Sequence, residues 1–396
     1  VYAHVPFYRK NFDALGIEPS DIKTLADFSK VPFTTKEDLR ENYPYGHFAT
    51  PLRDVVRIHA SSGTTGSFVA VGYSRNDIKT WSNLTARVLV AGGVTKDDVV
   101  QVAFSYGLFT GGFGLTYGAE RLGASVIPTA HAKVPLQIKI MKDFKSTALL
   151  CTPSLALQIL DYIKQSDIPL ASLSLKWGLF GAEPWSERVR KELEAGLGIT
   201  ATDNYGLSEI IGPGVAFECL EKNGLHFNED HFLAEIVDPV TLKPVPAGEL
   251  GELVVTTLTK EAFPMIRYRT GDLTRFMPGQ CPCGRTGVRM TPVLGRNDDI
   301  VVMRGIKVFP SQIEEVLLDT LGRLPEYRII IERDKGVDSI TTRLGLSGEN
   351  AAREMELFKK RIEEKLGIGV VAELADVDEF SPIEVKARRI LDKRNT

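Results

Sequence analysis

Apolar and polar residues follow two different periods along this chain, and the change of period divides it. From Val99 onward, short runs rich in branched apolar residues alternate with stretches of helical period: VVQVAF from Val99, ASVIP from Ala124, TALLC from Thr147 and LKWGLF from Leu175. In TPSLALQILDYIKQ, Thr152 reads as an N-cap and Pro153 as a first-turn proline, with Leu155, Ile159, Leu160 and Ile163 on one face. WSERVRKELEAGLG reads as another helix, ending at Gly196 and Gly198. Strand–helix–strand alternation of this kind implies a parallel sheet covered by helices, because parallel neighbours need crossover connections. The residues before Val99 read as mixed and loop-rich, with Pro6, Pro19, Pro32, Pro44 and Pro51 spread through them.

After about Gly206 the helical period fades. FLAEIVD and ELVVTTL are strand-like and flank the turn-rich PVTLKPVPAGELG, which predicts a β-rich subdomain at about residues 215–294. From about Arg296 a smaller α+β unit is expected: DIVVMRGIKVF as a hairpin, a helix from Ser311, the strands EYRIIIERD and SITTRLGLS, a helix from about Asn350, and VVAELADV as the last strand. The fold class is therefore α/β: a large N-terminal domain, 1–296, with parallel sheets under helices and a β-rich subdomain, then a small α+β domain, 297–396, which the resemblance given below implies is mobile.

Composition changes this picture little. With 396 residues, 43% of them hydrophobic and 25% charged, the chain is an ordinary globular one. A net charge of −3 gives no general attraction to nucleic acid or to an anionic membrane. No apolar run approaches the roughly 20 residues needed to span a bilayer. VYAHVPFYRK lacks the charged-then-apolar order of a signal peptide and opens without Met, so residues preceding Val1 are expected. Four Cys cannot make a disulfide framework in a chain this long, and a reducing cytoplasm is the expected setting.

The most informative stretch is SSGTTGS, Ser61 to Ser67. Its glycines allow backbone conformations in which successive N–H groups converge on an anion, and its hydroxyls add donors, which suits a triphosphate. It is not a Walker A loop, since that spacing and its Lys are missing. A flexible surface loop is the competing reading of such a run taken alone.

Three further motifs follow in order. YGLSE (Tyr205 to Glu209) comes after strand-like ITATDN, at the edge of a parallel sheet where ligands bind. YRTGD (Tyr268 to Asp272) and GRNDDIVVMRGIKVFPSQIE (Gly295 to Glu314) complete the set. Together they resemble the adenylate-forming superfamily of acyl-CoA synthetases, peptide-synthetase adenylation domains and luciferases. PFTTKEDLRENYPYG, YGLFTGGFGLTYGAERLGASVIP, GAEPW and KARRILDKR are most similar to segments of the phenylacetate–CoA ligases.

The resemblance implies a two-step reaction. A carboxylate attacks the α-phosphorus of ATP to give an acyl-adenylate and pyrophosphate, and the thiol of coenzyme A then displaces AMP. It further implies the division of labour. Ser61, Ser62, Gly63, Thr64, Thr65 and Gly66 would hold the terminal phosphates, and Glu209 the magnesium, a hard cation that prefers carboxylate oxygen. Gly181, Ala182, Glu183, Pro184 and Tyr205 would line the adenine, with Asn204 and Gly206 also contacting the nucleotide. Asp272 would accept both ribose hydroxyls, with Arg296 and Lys307 near ribose and phosphate. Lys386 would neutralise charge in the adenylating step. Asp298 would be the hinge about which the C-terminal domain turns to bring the Arg304–Gly305–Ile306 loop to the thioester step. One departure stands out: the family usually carries Lys-Pro after SSGTTG, and this chain has Ser67-Phe68. A basic tail is the competing reading of Lys386, given Arg388, Arg389, Lys393 and Arg394 around it.

Phe104, Tyr106 and Phe109 follow a strand and would suit a flat aryl ring, although aromatics at a strand end are also common core residues. Cys219 and His226 in ECLEKNGLH, with Cys281 and Cys283 in GQCPCGRTG, supply three thiolates and an imidazole, the donor set of a structural zinc site; two unrelated pairs of reduced cysteines is the alternative. Some members of the resembling family carry the same pair of segments and bind zinc there. Cys151 reads as core.

The expected activity is thus ATP-dependent activation of phenylacetate or a similar aryl acid and its transfer to coenzyme A, with magnesium as cofactor and structural zinc. Two alternatives stay open: an adenylating synthetase with another acceptor, such as a deazaflavin cofactor, and a non-catalytic nucleotide-binding homologue. Nucleic acid and membrane are not expected partners, and a homodimer is the default assembly.

Overall fold

The computed structural model describes residues 1–62, 68–297, 301–303, 306–308, 310–322, 325–334, 337–376, 380 and 390–393. The chain divides into two compact units, one of Val1–Thr270 with Thr274–Pro292, the other of Gly271–Leu273 with Val293–Thr396.

In the first unit, among the described residues, the largest sheet has nine strands. Its parallel half runs Ser125–Pro128, Val99–Val102, Ala148–Cys151, Trp177–Gly181, Thr200–Leu207. The sequence explains why the helices between them start and stop where they do. Thr152 accepts a hydrogen bond from the Leu155 N–H and Pro153 opens the helix Pro153–Gln165. Ser186 caps Glu187–Leu197, which ends on Gly198 at φ 68, a left-handed turn that suits a residue with no Cβ. Beyond Thr200–Leu207 the sheet becomes antiparallel, through Gly212–Phe217, Leu225–Phe227, Arg289–Met290 and Phe276–Met277.

The residues before Val99 are more regular than their texture predicts. Val55–Ser62 and Phe68–Ser74 pair antiparallel, and Arg75–Ala91 is a helix of 17 residues. Ser74 and Asp77 form a reciprocal capping box, and Trp81, Leu84 and Val88 fall on the buried face. That helix packs against Gly111–Leu122 at glycines: a Cβ on Gly114 would lie 2.4 Å from the Trp81 ring, and one on Gly118 2.6 Å from Thr85.

The β-rich part pairs Phe232–Val237 with Gly251–Thr257. The segment around Val31 to Lys36 is fastened beside it. Arg267 donates to the Ser29 and Val31 carbonyls and to Glu235, and the backbone of Thr34 bonds both Arg267 and Arg269.

In the second unit, Gly271–Leu273 lie in the strand Tyr268–Thr274, and Asp272 and Leu273 pair with Arg296 and Gly295. Val301–Met303 and Ile306–Val308 form the expected hairpin. Tyr327–Asp334 and Val337–Leu344 are antiparallel, and the helices Pro310–Leu321 and Ala351–Leu366 pack on each other over a core including Ile313, Leu317, Ile329, Ile331 and Phe358. Val371–Leu374 is not the last strand: Ile390–Asp392 adds a further parallel one beside Tyr327–Asp334, inside a segment whose basic flanks read as a tail.

Candidate functional site

The strand Thr200–Leu207 matches Trp177–Gly181 in parallel register as far as Asn204 opposite Gly181, then runs on through Tyr205, Gly206 and Leu207. The YGLSE motif therefore begins within the strand rather than after it. Glu209 follows in a tight turn in which the N–H groups of Ile210 and Ile211 both donate to the Leu207 carbonyl. Its side chain is nearly buried, yet the Ser61 hydroxyl donates to it at 2.7 Å and the Lys36 ammonium lies 3.7 Å away. Lys36 opens the helix Lys36–Glu41, whose Thr35 cap and Asp38 form a capping box. Sequence reasoning missed it. The capping box was readable locally, but nothing local points Lys36 at a carboxylate so far along the chain.

The carbonyls just after Glu209 are also committed. Lys260 donates to Ile210 O at 2.7 Å, Tyr73 to Ile211 O at 3.0 Å, and the Trp81 indole N–H to Pro213 O at 3.0 Å. Tyr73 and Trp81 stack with centroids 5.1 Å apart, and Lys260 lies over the Tyr73 and Phe263 rings at 4.6 and 5.3 Å. Burial pushes Lys260 down to about 7, against the pull of Asp77 and Glu209. His59, two residues before Ser61, sets its ring edge-on to Tyr73 and Trp81. Its Nδ1 meets the Leu108 carbonyl at 3.0 Å, its Nε2 has no partner, and burial pushes its pKa down to about 4.

The candidate adenine segments lie side by side on the same sheet edge. Gly181 leaves no room for a side chain, since a Cβ there would be 2.4 Å from Asn204 O, and Asn204 Nδ2 donates to Phe180 O at 2.7 Å. Ala182 takes φ +67, and it and Pro184 are exposed. Glu183 turns back to the helix Pro153–Gln165, its carboxylate accepting from the N–H and hydroxyl of Ser154. Tyr205 and Gly206 are half-buried.

In the second unit, Asp272 is buried and lies 3.5 Å from the Arg296 guanidinium. Lys307 belongs to the strand Ile306–Val308. Gly63, Thr64, Thr65, Gly66, Ser67, Asp298, Arg304, Gly305 and Lys386 lie outside the described residues, as does the Ser62 side chain.

The three candidate aryl residues differ. Phe104 is buried in a cluster with Val100, Val102 and Leu115. Tyr106 is half-buried, with its hydroxyl 2.8 Å from Thr116 Oγ1 and its ring edge-on to Phe113 at 5.1 Å. Phe109 is half-buried. Phe113 and Tyr117, which the sequence reading passed over, lie under the Arg57 guanidinium at 4.5 and 5.3 Å.

Cys219, His226, Cys281 and Cys283 come together, with their ligand atoms all within 4.8 Å of one another. Cys219 Sγ is 3.7 Å from Cys281 Sγ, and Cys283 Sγ is 3.4 Å from His226 Nε2. A tetrahedral zinc with sulfur at ~2.3 Å would separate its ligand atoms by roughly 3.5–3.8 Å, so these four donors fit. His226 Nδ1 has no partner. Burial pushes Cys219 up to about 12; for Cys283, burial also pushes up, but hydrogen bonds with Arg285, Cys281 and Cys219 together bring the thiol down to about 7. Cys151 is fully buried in the core, as read.

Among the described residues, no helix is long and apolar enough to cross a membrane. The AMP-binding enzyme family model matches residues 11–259, and the AMP-binding enzyme C-terminal domain model matches residues 305–394. The chain is 46% identical to the phenylacetate-coenzyme A ligase of Aromatoleum evansii, over 99% of this chain and 91% of that one. It is also 46% identical to the enzyme of that name from Escherichia coli (strain K12), over 100% and 92%. The crystal structure of 2-hydroxyisobutyryl-CoA ligase in the postadenylation state, in complex with R3-HIB-AMP, is similar with a TM-score of 0.89 and 29% identity, over 99% of this chain and 86% of that one. Family models over both ends and full-length likeness to these ligases agree with the four motifs: the chain belongs to the phenylacetate–coenzyme A ligase family of AMP-binding enzymes.

Proposed function

We propose that this chain is an AMP-forming ligase that converts phenylacetate or a closely similar aryl acid to its coenzyme A thioester. The observation that carries the reading is the full-length likeness to phenylacetate-coenzyme A ligases. A carboxylate oxygen of the acid attacks the α-phosphorus of ATP, the bond to the bridging oxygen breaks, and pyrophosphate leaves. The thiolate of coenzyme A then attacks the acyl carbon, and AMP leaves with the bonding pair. Such phosphoryl chemistry rests on positioning and on neutralising charge.

The residues divide that work as follows. Residues 61–66 cradle the terminal phosphates, while the Ser61 hydroxyl also orients Glu209. Glu209, a nearly buried carboxylate beside a hydroxyl and an ammonium, would hold the magnesium ion. When bound, that ion offsets the charge of the departing pyrophosphate. Gly181 to Pro184 with Asn204 to Gly206 surround the adenine, and Asp272 takes the ribose. Tyr106 and Phe109 border the ring of the acid, with Phe104 behind them in the core. Residues 1–296 carry adenylation and 297–396 deliver Lys386 to it, with Asp298 as the hinge. The three thiolates and one imidazole of the Cys–His cluster hold a structural zinc.

The reading is tested by AMP and pyrophosphate release from ATP across phenylacetate, benzoate, indoleacetate and short fatty acids, each with and without coenzyme A. Fast AMP release is expected only with phenylacetate and coenzyme A together. Pyrophosphate release indifferent to coenzyme A would point to another acceptor, such as a deazaflavin. ATP binding with no turnover would leave a nucleotide-binding homologue. In the same assay Lys386→Ala should abolish adenylation, by roughly 10³-fold, and spare thioester formation from preformed phenylacetyl-adenylate. Equal loss of both halves would remove Lys386 from its role.

A further inference from the structure

Lys260 is a cation where packing alone would favour an apolar side chain. The residue is only 7% exposed, and its ammonium is enclosed by the Tyr73 and Phe263 rings. A Met or Leu would fill such a place without desolvating a charge, so the ammonium has to be explained by what it holds. It holds the Ile210 carbonyl, the first backbone acceptor after Glu209. The segment that brings it there is itself fixed. Asp77 accepts the N–H groups of Glu261 and Ala262, and Ser74 donates to the Glu261 carboxylate. Tyr73, one residue before Ser74, takes the neighbouring Ile211 carbonyl. Two successive carbonyls of the turn are thus tied by side chains from two distant segments, and both ties would be lost if the turn rotated.

We propose that Lys260, with Tyr73, is a positioning residue for Glu209: the pair fixes the turn so that the carboxylate stands ready for the magnesium of the incoming nucleotide. The inference rests on the reading of Glu209 as the magnesium-holding carboxylate. Lys260 acts through the Ile210 carbonyl and so is a positioning residue rather than a catalytic one. Its effect is expected wherever magnesium matters and nowhere else.

The test is calorimetric titration of the full chain with ATP, once in magnesium and once in EDTA, for the wild type, Lys260→Met, Tyr73→Phe and Glu209→Gln. Lys260→Met should weaken binding of magnesium–ATP about tenfold and leave ATP in EDTA unchanged. Tyr73→Phe, which deletes one oxygen and no charge, should show the same selective loss at about threefold. Should Lys260→Met not fold, Tyr73→Phe decides. Loss shared equally between the two titrations, or no loss in magnesium, overturns the proposal. Glu209→Gln separates the two readings. If it abolishes the magnesium advantage and the other variants keep it, the positioning role alone fails. If it too keeps the advantage, the assignment of Glu209 is what fails.

Discussion

The strand Gly212–Phe217 has chemistry at both ends, and the ends are built in opposite ways. Before it stands the Glu209 turn, where Lys260 and Tyr73 hold the Ile210 and Ile211 carbonyls and Ser61 and Lys36 face the carboxylate, while Trp81 holds the Pro213 carbonyl. After it stands Cys219, whose companions His226, Cys281 and Cys283 lie close, and there the buried His226 Nδ1 has no partner. One end is complete without a ligand, so its defects should appear in rate. The other would be completed by the proposed zinc, so its defects should appear in stability.

The largest effect that could break this contrast is at the first end. Glu209→Gln should lower the adenylation rate by roughly 10²–10³-fold while the melting temperature moves little, because the turn's backbone bonds do not use the carboxylate. A large fall in melting temperature with the rate preserved would reverse the assignment. At the second end the expected order is the opposite. Stripping metal from the folded protein with a chelator should lower the melting temperature by roughly 5–10 °C, with adenylation below the transition within about twofold of untreated protein. Metal analysis showing no zinc in carefully purified protein, or adenylation lost while the melting temperature holds, would break the comparison there.

The smallest effect sharpens it. His59 packs on the same Tyr73 and Trp81 that secure the Glu209 turn, and its folded value of about 4 lies below its ordinary 6.5. The folded chain thus binds the proton less readily than the unfolded one. Its contribution to stability is whole above pH 6.5 and is lost as pH falls toward about 4. His59→Phe should flatten that part of the melting-temperature profile. An unchanged slope would show that His59 is not its source.

What could be read from sequence follows the range of the interactions. The helix at Pro153–Gln165 was legible because its cap, its proline and its apolar face are neighbours in sequence. The four zinc-type ligands were legible because thiols and imidazoles are rare enough that residue type alone singles them out. The helix Arg75–Ala91 was equally legible in its Ser74–Asp77 box and was lost by treating the whole opening stretch as one texture. Lys36, Tyr73 and Lys260 carry no such mark. Ser61 and Glu209 are 148 residues apart, Tyr73 and Ile211 138, and a lysine in TKEAFP looks like any solvated lysine. Strand Ile390–Asp392 escaped notice because three residues flanked by basic ones show no period at all.

The fastening of the opening segment bears on how the chain is made. Arg267 bonds the Val31 carbonyl across 236 residues, and the buried Tyr8 accepts the Ile266 N–H across 258. At ~5–20 residues per second, a ribosome takes roughly 10–50 s to supply the partners that Val31 awaits. Throughout that interval the Tyr8 hydroxyl and the Val31 carbonyl, both on residues buried in the finished protein, lack these partners. A segment that precedes its partners by 236 residues or more is thus among the last to dock, and during synthesis it is a natural client of a chaperone.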